Sequence, residues 1–258
     1  MCGRMAITLP HDAMAQMFEA TPANDLPEVP NYNVCPTVQV HTVTAHEGNR
    51  RLRPMRWGFI PHWYKKPNDG PLLINARSET AAEKASFRAA MRHRRILVAA
   101  SGFYEWHRPP KGSKEKSVPY WIKPSAGGIV AFAGLMETYM SADGAEMDTA
   151  AILTVGPNRE VAPIHDRMPV VIRPEDFSRW LDCLNQEPRH VADLMAPAPD
   201  GYFEAIRVSD LVNKVANTGP EVQKPATDAE PVVSKPTPAR RAVKSKADDP
   251  ASDQMKLF

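Results

Sequence analysis

The stretch ILVAASGFYEW, residues 96–106, decides the fold of this 258-residue chain. Its first half, residues 96–100, is an uninterrupted apolar run with the length and character of a buried strand. Ser101 and Gly102 end the run, and Glu105 follows between Tyr104 and Trp106. A carboxyl packed between aromatic rings is desolvated, which raises its pKa and suits it to move protons near neutral pH. The alternative is a carboxylate that pairs with a local arginine.

Five other apolar or alternating runs predict strands, and three segments predict short helices. The strands are residues 5–9, 38–44, 129–133, 151–155 and 169–172, and the helices are residues 11–20, 78–92 and 174–184. The sequence has no βαβ periodicity, internal repeat or glycine-rich phosphate loop. These features predict an α+β fold: a single domain with a curved, partly barrel-like mixed β-sheet and short helices.

The composition changes at about Gly219. From there on, prolines alternate with alanine, lysine and aspartate, and no aromatic residue occurs before Phe258. Such a segment buries too little apolar surface to fold alone. We therefore expect a folded domain over residues 1–218 and a disordered tail over residues 219–258.

Composition argues against several classes of protein. The net charge of +2 is too small to indicate nucleic-acid binding by itself. Neither a secretion signal nor an apolar run of membrane-spanning length occurs, so we expect a cytoplasmic protein with no membrane partner. The three cysteines, Cys2, Cys35 and Cys183, are an odd number without metal-ligand spacing, which argues against a disulfide framework and a zinc site. We expect no metal and no other cofactor. We expect a monomer.

Cysteine follows the initiator methionine, and removal of Met1 makes Cys2 the N-terminal residue. Its α-amine, of reference pKa about 8, and its thiol, of about 8.5, then lie on adjacent carbons, and both have usable nucleophilic fractions near pH 7. An aldehyde can form a Schiff base with the amine, and the thiol can close a five-membered thiazolidine ring on the same carbon. The alternative is a small buried residue at the start of the first strand.

Two segments have polar side chains at strand ends. Asn75 and Arg77, two residues apart, can face the same side of an extended segment, where they could hold a phosphate or orient a reacting oxygen. His165, beside Asp166 and Arg167, can exchange a hydrogen bond with a sugar oxygen. The alternatives are helix capping in the residues after Arg77 and a structural role for the histidine.

Aromatic rings are concentrated in the loop of residues 57–64, and arginines form two clusters. The clusters are Arg50, Arg51, Arg53 and Arg56, and Arg88, Arg92, Arg94 and Arg95. Exposed rings among cations suit stacking on unpaired bases. The alternatives are solvated charged faces and a loop packed under the sheet, and we expect Trp57 to be buried.

Taken in order, these segments resemble the SRAP family, the SOS-response-associated peptidases, whose members shield abasic sites in single-stranded DNA. The resemblance covers roughly residues 2–217. It rests on Met1-Cys2-Gly3-Arg4, Tyr32-Asn33-Val34 before Pro36, Trp57-Gly58, Asn75-Ala76-Arg77 with Glu79, Gly102-Phe103-Tyr104-Glu105-Trp106, His165-Asp166-Arg167-Met168-Pro169 and Val212-Asn213.

The resemblance implies that Cys2 forms a thiazolidine with the ring-opened aldehyde of an abasic deoxyribose. Asn75, Glu105 and His165 are then the surrounding catalytic groups: Glu105 moves protons for imine formation and its reversal, and His165 assists opening of the sugar ring. The implied DNA-binding residues are Arg4, Arg77, Arg167, Trp63, Tyr64, Trp106 and Asn213. Tyr64 stands where the family can have tryptophan, and Cys35 where alanine is common.

The implied protein is an enzyme that cross-links to abasic sites in single-stranded DNA, shields them during replication and works on the bacterial nucleoid. Two alternatives stay open. One is a cysteine-type peptidase that processes itself or other proteins, and the other is a non-catalytic binder of single-stranded DNA.

The chain ends in Gln254-Met255-Lys256-Leu257-Phe258, which resembles the short motif by which bacterial proteins bind the replication sliding clamp. Leu257 and Phe258 are apolar anchors in a polar tail, and such anchors fit a hydrophobic groove. The hypothesis is that Gln254, Leu257 and Phe258 tether the protein to the clamp. The alternative is a chance match.

Deletion of residues 254–258 is expected to abolish binding to the purified sliding clamp, because it removes both apolar anchors. A pull-down of the clamp by the full chain and by the truncated chain measures this, and L257A/F258A serves as a second variant. Unchanged clamp binding after the deletion rejects the hypothesis.

Overall fold

The fold consists of short helices and two β-sheets in the residues that we describe, 2–110 and 112–226 of the computed structural model. The strands are β1 (Met5–Ile7), β2 (Ala20–Pro22), β3 (Asn31–Val34), β4 (Gln39–His46), β5 (Asn49–Trp57), β6 (Asn75–Arg77), β7 (Arg95–Ala100), β8 (Gly102–His107), β9 (Val118–Pro124), β10 (Val130–Met140), β11 (Glu146–Val155), β12 (Met168–Pro169) and β13 (Phe203–Arg207). The α-helices are α1 (His11–Phe18), α2 (Ala85–His93) and α3 (Phe177–Leu181), and 3₁₀ helices span Pro174–Asp176, Pro188–Met195, Asp210–Asn213 and Pro220–Gln223. The predicted α+β fold is confirmed.

The described part of the chain has no helix with both the length and the apolar character needed to cross a membrane. The predicted tail from residue 227 onward, with the candidate clamp motif at Gln254, Leu257 and Phe258, lies outside the described residues.

The larger sheet closes into a barrel. β11 pairs with β10, β10 with β7, β7 with β4 and β4 with β5, and β5 returns to β11 as a parallel neighbour. The main hydrophobic core joins the barrel to the helices, and Trp57, Phe132 and Trp180 are fully buried in it. The predictions of a curved, barrel-like sheet and of a buried Trp57 are confirmed.

The smaller sheet has the strand order β13-β9-β8-β1-β3, with antiparallel neighbours throughout. Ser101 alone separates β7 of the barrel from β8 of this sheet. Its amide donates to the carbonyl of Ala6 at 2.7 Å, and its hydroxyl accepts from the amide of Thr8 at 3.0 Å. A Cβ on Gly102 would lie 2.4 Å from the carbonyl oxygen of Ile122, so only glycine fits where the chain changes sheets.

Alternation along β8 explains the burial of Glu105. Phe103 packs in the main core, whereas Tyr104 packs in a second small cluster with Trp121 and Val212. Successive side chains of a strand point to opposite faces, so Glu105 shares the face of Phe103. Its side chain is only 4% exposed.

All three predicted helices are shorter than expected, the second and third by several residues, and packed structure continues beyond residue 218. α2 begins at Ala85 because the preceding residues form turns and the amide of Ser78 donates to the carbonyl of Thr154 on β11. The segment predicted as a helix over residues 174–184 is a 3₁₀ turn followed by α3. Beyond the expected boundary, Val222 is fully buried, since it fills the second cluster.

Arg95 does not belong to a solvated arginine cluster. It is 3% exposed. Its guanidinium donates to the backbone carbonyls of Trp180, Met91, Asp182 and Gln186. Arg95 therefore fixes the segment after α3 to the barrel, and the expected surface cluster is reduced to Arg88, Arg92 and Arg94.

His41 is a buried polar residue of the barrel. It is 1% exposed, and neither ring nitrogen has a hydrogen-bond partner in the described residues. Its ring centroid lies 5.1 Å from that of His11. Desolvation, with a contribution from His11, lowers the pKa of His41 from 6.5 to about 4. The folded protein therefore holds His41 neutral where the unfolded chain is protonated.

The folded protein is expected to lose about 2 kcal/mol of stability between pH 7 and pH 5 through His41 alone. The pKa of His41 is lower in the folded protein, at about 4, than in the unfolded chain, at 6.5. Protonation therefore stabilises the unfolded state as the pH falls from 6.5 toward 4. Urea unfolding of the wild type and of His41→Leu at both pH values measures the effect.

His107→Leu, at an exposed position, is the control and should keep the wild-type pH dependence. An equal loss of stability in His41→Leu and the wild type contradicts the assignment.

Candidate active site

The pairing of β1 with β8 carries the N-terminal residues to Glu105. Met5 lies opposite Phe103, and the amide of Tyr104 donates to the carbonyl of Arg4 at 2.9 Å. Continuation of this antiparallel register by one more residue sets Gly3 opposite Glu105. The residue before Gly3, Cys2, therefore reaches the end of the smaller sheet at which the buried carboxyl lies.

Cys2 is fully buried and is held by polar contacts on both sides. The backbone amide of Arg4 lies near the thiol and lowers its pKa in part. Asn75 Nδ2 donates to the carbonyl of Cys2 at 2.8 Å, and Asn75 Oδ1 is buried with no hydrogen-bond partner in the described residues. Asn75 thus retains a free acceptor beside Cys2.

Burial, and then the nearby charge of Glu105, raise the pKa of the Cys2 thiol well above its usual range. The thiol is therefore protonated at neutral pH. This differs from the usable thiolate fraction expected from the reference pKa, because that expectation assumed a solvated side chain.

Glu105 and His165 form the second pair of the site. His165 Nε2 lies 3.9 Å from Glu105 Oε2. Burial raises the pKa of Glu105, and the neighbouring His165 opposes this shift in part. The carboxyl is thus desolvated, as its position between Tyr104 and Trp106 predicts.

The ring of His165 is oriented by its own loop. The amide of Arg167 donates to Nδ1 at 3.0 Å, and Asp166 Oδ1 lies 2.9 Å from the same nitrogen. Both contacts cannot be hydrogen bonds at once, since Nδ1 accepts in the first and must donate in the second. In the neutral ring the Arg167 contact leaves the proton on Nε2, toward Glu105, whereas a protonated ring can donate to Asp166.

Strand β11 collects the remaining groups at one end. β6 pairs with it in parallel, with Asn75 opposite Ile152 and Arg77 opposite Thr154. β12, which directly follows the loop of residues 163–167, pairs with the same end of β11. Asn75 and His165, which are 90 positions apart in the sequence, are therefore brought to one place.

Of the three arginines predicted to bind DNA, Arg167 already has a carboxylate partner. It donates to both oxygens of Glu79, at 2.6 and 2.8 Å, and to the carbonyl of Thr154. Its hydrogen bonds lower the pKa of Glu79. Arg77, by contrast, is exposed.

Arg4, Trp106 and Asn213 form one group. The Arg4 guanidinium carbon lies 5.7 Å from the centroid of the Trp106 ring, and Trp106 Nε1 donates to Asn213 Oδ1 at 2.8 Å. Arg4 Nη1 donates to Asn33 Oδ1 and to the carbonyl of Val212, both at 2.7 Å. Asn33 was missed as a site residue, because nothing local in the sequence relates it to residues 179 or more positions away.

Trp63 and Tyr64 lie together in the aromatic loop. Trp63 is 48% exposed, and its ring centroid lies 6.4 Å from that of Tyr64 and 5.0 Å from that of His62. His62 Nδ1 lies 3.5 Å from Glu137 Oε2 on β10. Among the described residues, no hydrogen bond or ring contact joins Trp63 or Tyr64 to Cys2.

The site brings together the thiol of Cys2, the carboxyl of Glu105, the imidazole of His165 and the amide of Asn75. Such a set can hold a nucleophile and transfer protons to and from it. Within residues 2–110 and 112–226, no three His, Cys, Asp or Glu side chains are arranged to hold a metal ion, and the three cysteines are free thiols.

Two relatives of this chain carry a common name. Abasic site processing protein YoqW of Bacillus subtilis is 37% identical over 225 residues, which are 86% of this chain and 98% of the relative. Abasic site processing protein YedK of Escherichia coli is 30% identical over 231 residues, which are 87% of this chain and all of the relative.

A solved structure and a family model agree on the fold. A protein from Bacteroides thetaiotaomicron superposes with a TM-score of 0.77 at 22% identity, over 88% of this chain and 100% of that one. The family model described as SOS response associated peptidase (SRAP) matches residues 1–215. This chain therefore belongs to the SRAP family.

Proposed function

We propose that this protein detects abasic sites in single-stranded DNA and, after removal of Met1, joins Cys2 to the lesion as a stable thiazolidine. The observation that carries the proposal is the meeting of Cys2 with Asn75 and Glu105, and of Glu105 with His165, at the end of β8. The names of the relatives, abasic site processing proteins, support the same substrate.

The first step uses the α-amine. Its nitrogen attacks the aldehyde carbon C1′ of the ring-opened deoxyribose, and loss of water from the resulting carbinolamine gives an imine. Glu105, whose pKa is raised by burial, can protonate the departing hydroxyl. His165 Nε2, which faces Glu105, can supply a proton to the ring oxygen as the sugar opens.

The second step uses the thiol. The Cys2 sulfur bonds to the imine carbon, its proton leaves through the Glu105 carboxylate, and the imine nitrogen gains one proton. The overall change is aldehyde plus aminothiol to thiazolidine plus one water, with no oxidant or reductant. The raised thiol pKa means that this step needs a base within the site.

Single-stranded DNA would be held by the predicted cations and rings. Arg77 is exposed and available to a phosphate, and Trp63 presents a half-exposed face for stacking. Arg4, Arg167, Tyr64, Trp106 and Asn213 are proposed to complete this surface. On this proposal the protein works in the bacterial cytoplasm on the nucleoid, where the tail motif could tether it to the clamp.

A peptidase that acts on other proteins is less well supported. Cysteine peptidases need a thiolate, which an adjacent imidazolium stabilises. Here the largest effect of a charge on the thiol comes from the Glu105 carboxylate, which disfavours the thiolate. Thiazolidine closure does not require a standing thiolate, because the carboxylate can take the proton during the step.

Cys2→Ser is expected to abolish the heat-stable cross-link to single-stranded DNA with one abasic site, while keeping a Schiff base that borohydride traps. The amine is retained, but the thiol that closes the ring is lost. Denaturing electrophoresis and intact mass, with and without borohydride, measure both species.

Two controls sharpen this test. Cys35→Ser and Cys183→Ser should cross-link like the wild type, since only a terminal cysteine has both nucleophiles. Insertion of glycine between Met1 and Cys2 should abolish the heat-stable product but spare a peptidase, which needs no α-amine. A heat-stable cross-link formed by Cys2→Ser refutes the thiazolidine.

Glu105→Gln is expected to slow cross-linking by about 10²-fold or more, because an amide cannot take the thiol proton. In the wild type, the rate should fall more steeply with decreasing pH once the Glu105 carboxylate protonates. Because burial raises the pKa of Glu105, this steeper fall should begin at a pH above the usual glutamate range. Glu105→Gln should lack this steeper region. Single-turnover rates across pH measure it.

Glu204→Gln, which removes a carboxylate paired with Lys123 in the same sheet, is the control and should keep the wild-type profile. A Glu105→Gln profile with the same shape and rate as the wild type would exclude Glu105 from proton transfer.

A further inference from the structure

Asn33 is a buried amide at the junction of three segments. It lies on β3 and is 2% exposed. Oδ1 accepts from Arg4 Nη1 at 2.7 Å. Nδ2 lies 2.8 Å from the carbonyl of Asn217 and 3.2 Å from the carbonyls of Val212 and Lys214. This amide therefore links the N-terminal segment to the segment of residues 210–217.

The orientation of the Asn33 amide is fixed by its partners. Reversal of the side chain would point its NH₂ group at the Arg4 guanidinium and its oxygen at three carbonyl oxygens, so that every contact would become repulsive. The backbone amide of Asn33 is also engaged, since it donates to Asn31 Oδ1 at 2.9 Å.

We call the two connections made by Asn33, to Arg4 and to residues 210–217, the arms of the junction. The first arm leads to Cys2. Arg4 is held through its side chain by Asn33 and through its carbonyl by the amide of Tyr104 at 2.9 Å. Cys2 precedes this same Arg4 by two residues, and the Arg4 amide lies near enough to the thiol to lower its pKa in part. The position of Arg4 therefore constrains the position of the thiol.

The other arm leads to the neighbour of Glu105. The 3₁₀ helix Asp210–Asn213 presents Asn213, whose Oδ1 accepts from Trp106 Nε1 at 2.8 Å. The Trp106 ring lies under the Arg4 guanidinium. Both arms thus meet again at the Arg4–Trp106 pair, beside Cys2 and Glu105.

We propose that Asn33 is a positioning residue, which holds the Arg4–Trp106 pair and through it sets the thiol of Cys2 against Glu105. It touches neither the thiol nor the carboxyl, and it acts through Arg4 and through the segment of residues 210–217. This role rests on the proposed function insofar as the positioned groups carry out the cross-linking.

Asn33→Ala is expected to lower the maximal single-turnover rate of cross-linking at saturating abasic DNA by between about tenfold and 10²-fold. Its matched control is Asn158→Ala. Asn158 is also a buried amide, 6% exposed, and its contacts are with Pro199 and Val161. Both rates are measured at temperatures where unfolding curves show each variant fully folded.

Asn33→Asp separates the two arms and serves where the alanine variant folds poorly. It keeps an acceptor for Arg4 but sets a carboxylate against the three carbonyls, so it should loosen the 210–217 arm alone. The expected rate lies between those of the wild type and Asn33→Ala.

A second readout does not depend on DNA. Alkylation of Cys2 by iodoacetamide, followed by peptide mass spectrometry, should be about tenfold faster in Asn33→Ala than in Asn158→Ala, because release of Arg4 exposes the thiol. If the wild type fails to cross-link DNA, the proposed function fails, but faster Cys2 alkylation still upholds the positioning role. Equal effects of both alanine variants, or no effect of Asn33→Ala on either readout, overturn it.

Discussion

The antiparallel pairing of β1 with β8 is the constraint on which the arrangement of the site depends. β1 has only three residues, and its register against β8 fixes where the N-terminal residues end. That register is held by the one-residue passage between the sheets, where Ser101 binds Ala6 and Thr8 and no side chain fits at Gly102. If β8 slipped by one residue in this register, the side chain of Glu105 would turn away from the core face.

The two acids of the site, the thiol of Cys2 and the carboxyl of Glu105, are both buried. Burial raises the pKa of the Cys2 thiol and of the Glu105 carboxyl, and the nearby charge of Glu105 raises the pKa of the thiol further. A buried thiol of this kind is a weak nucleophile until a base takes its proton. Burial thus protects the thiol from electrophiles and oxidants, with which a solvated thiolate would react.

Local patterns in the sequence predict the parts of this fold that depend on local chemistry. The buried strand at residues 96–100, the desolvated setting of Glu105 and the burial of Trp57 all follow from apolar runs and neighbouring rings. The length of α2 and the burial of Arg95 do not, because they depend on backbone partners from distant strands and helices. Asn33 was not predicted as a site residue for the same reason. Its Nδ2 contacts are with three backbone carbonyls, and every residue has a carbonyl, so no sequence pattern marks them.

The pairing of Arg167 with Glu79 has a consequence for the ionic atmosphere of the protein. The two terminal nitrogens of the Arg167 guanidinium both donate to the Glu79 carboxylate, which therefore acts as an internal counterion. A phosphate that reached Arg167 would displace Glu79 rather than a dissolved anion, so this contact would release few ions into solution. Arg77, exposed to solvent, would release its share. The two arginines would therefore contribute unequally to the dependence of any anion binding on salt concentration.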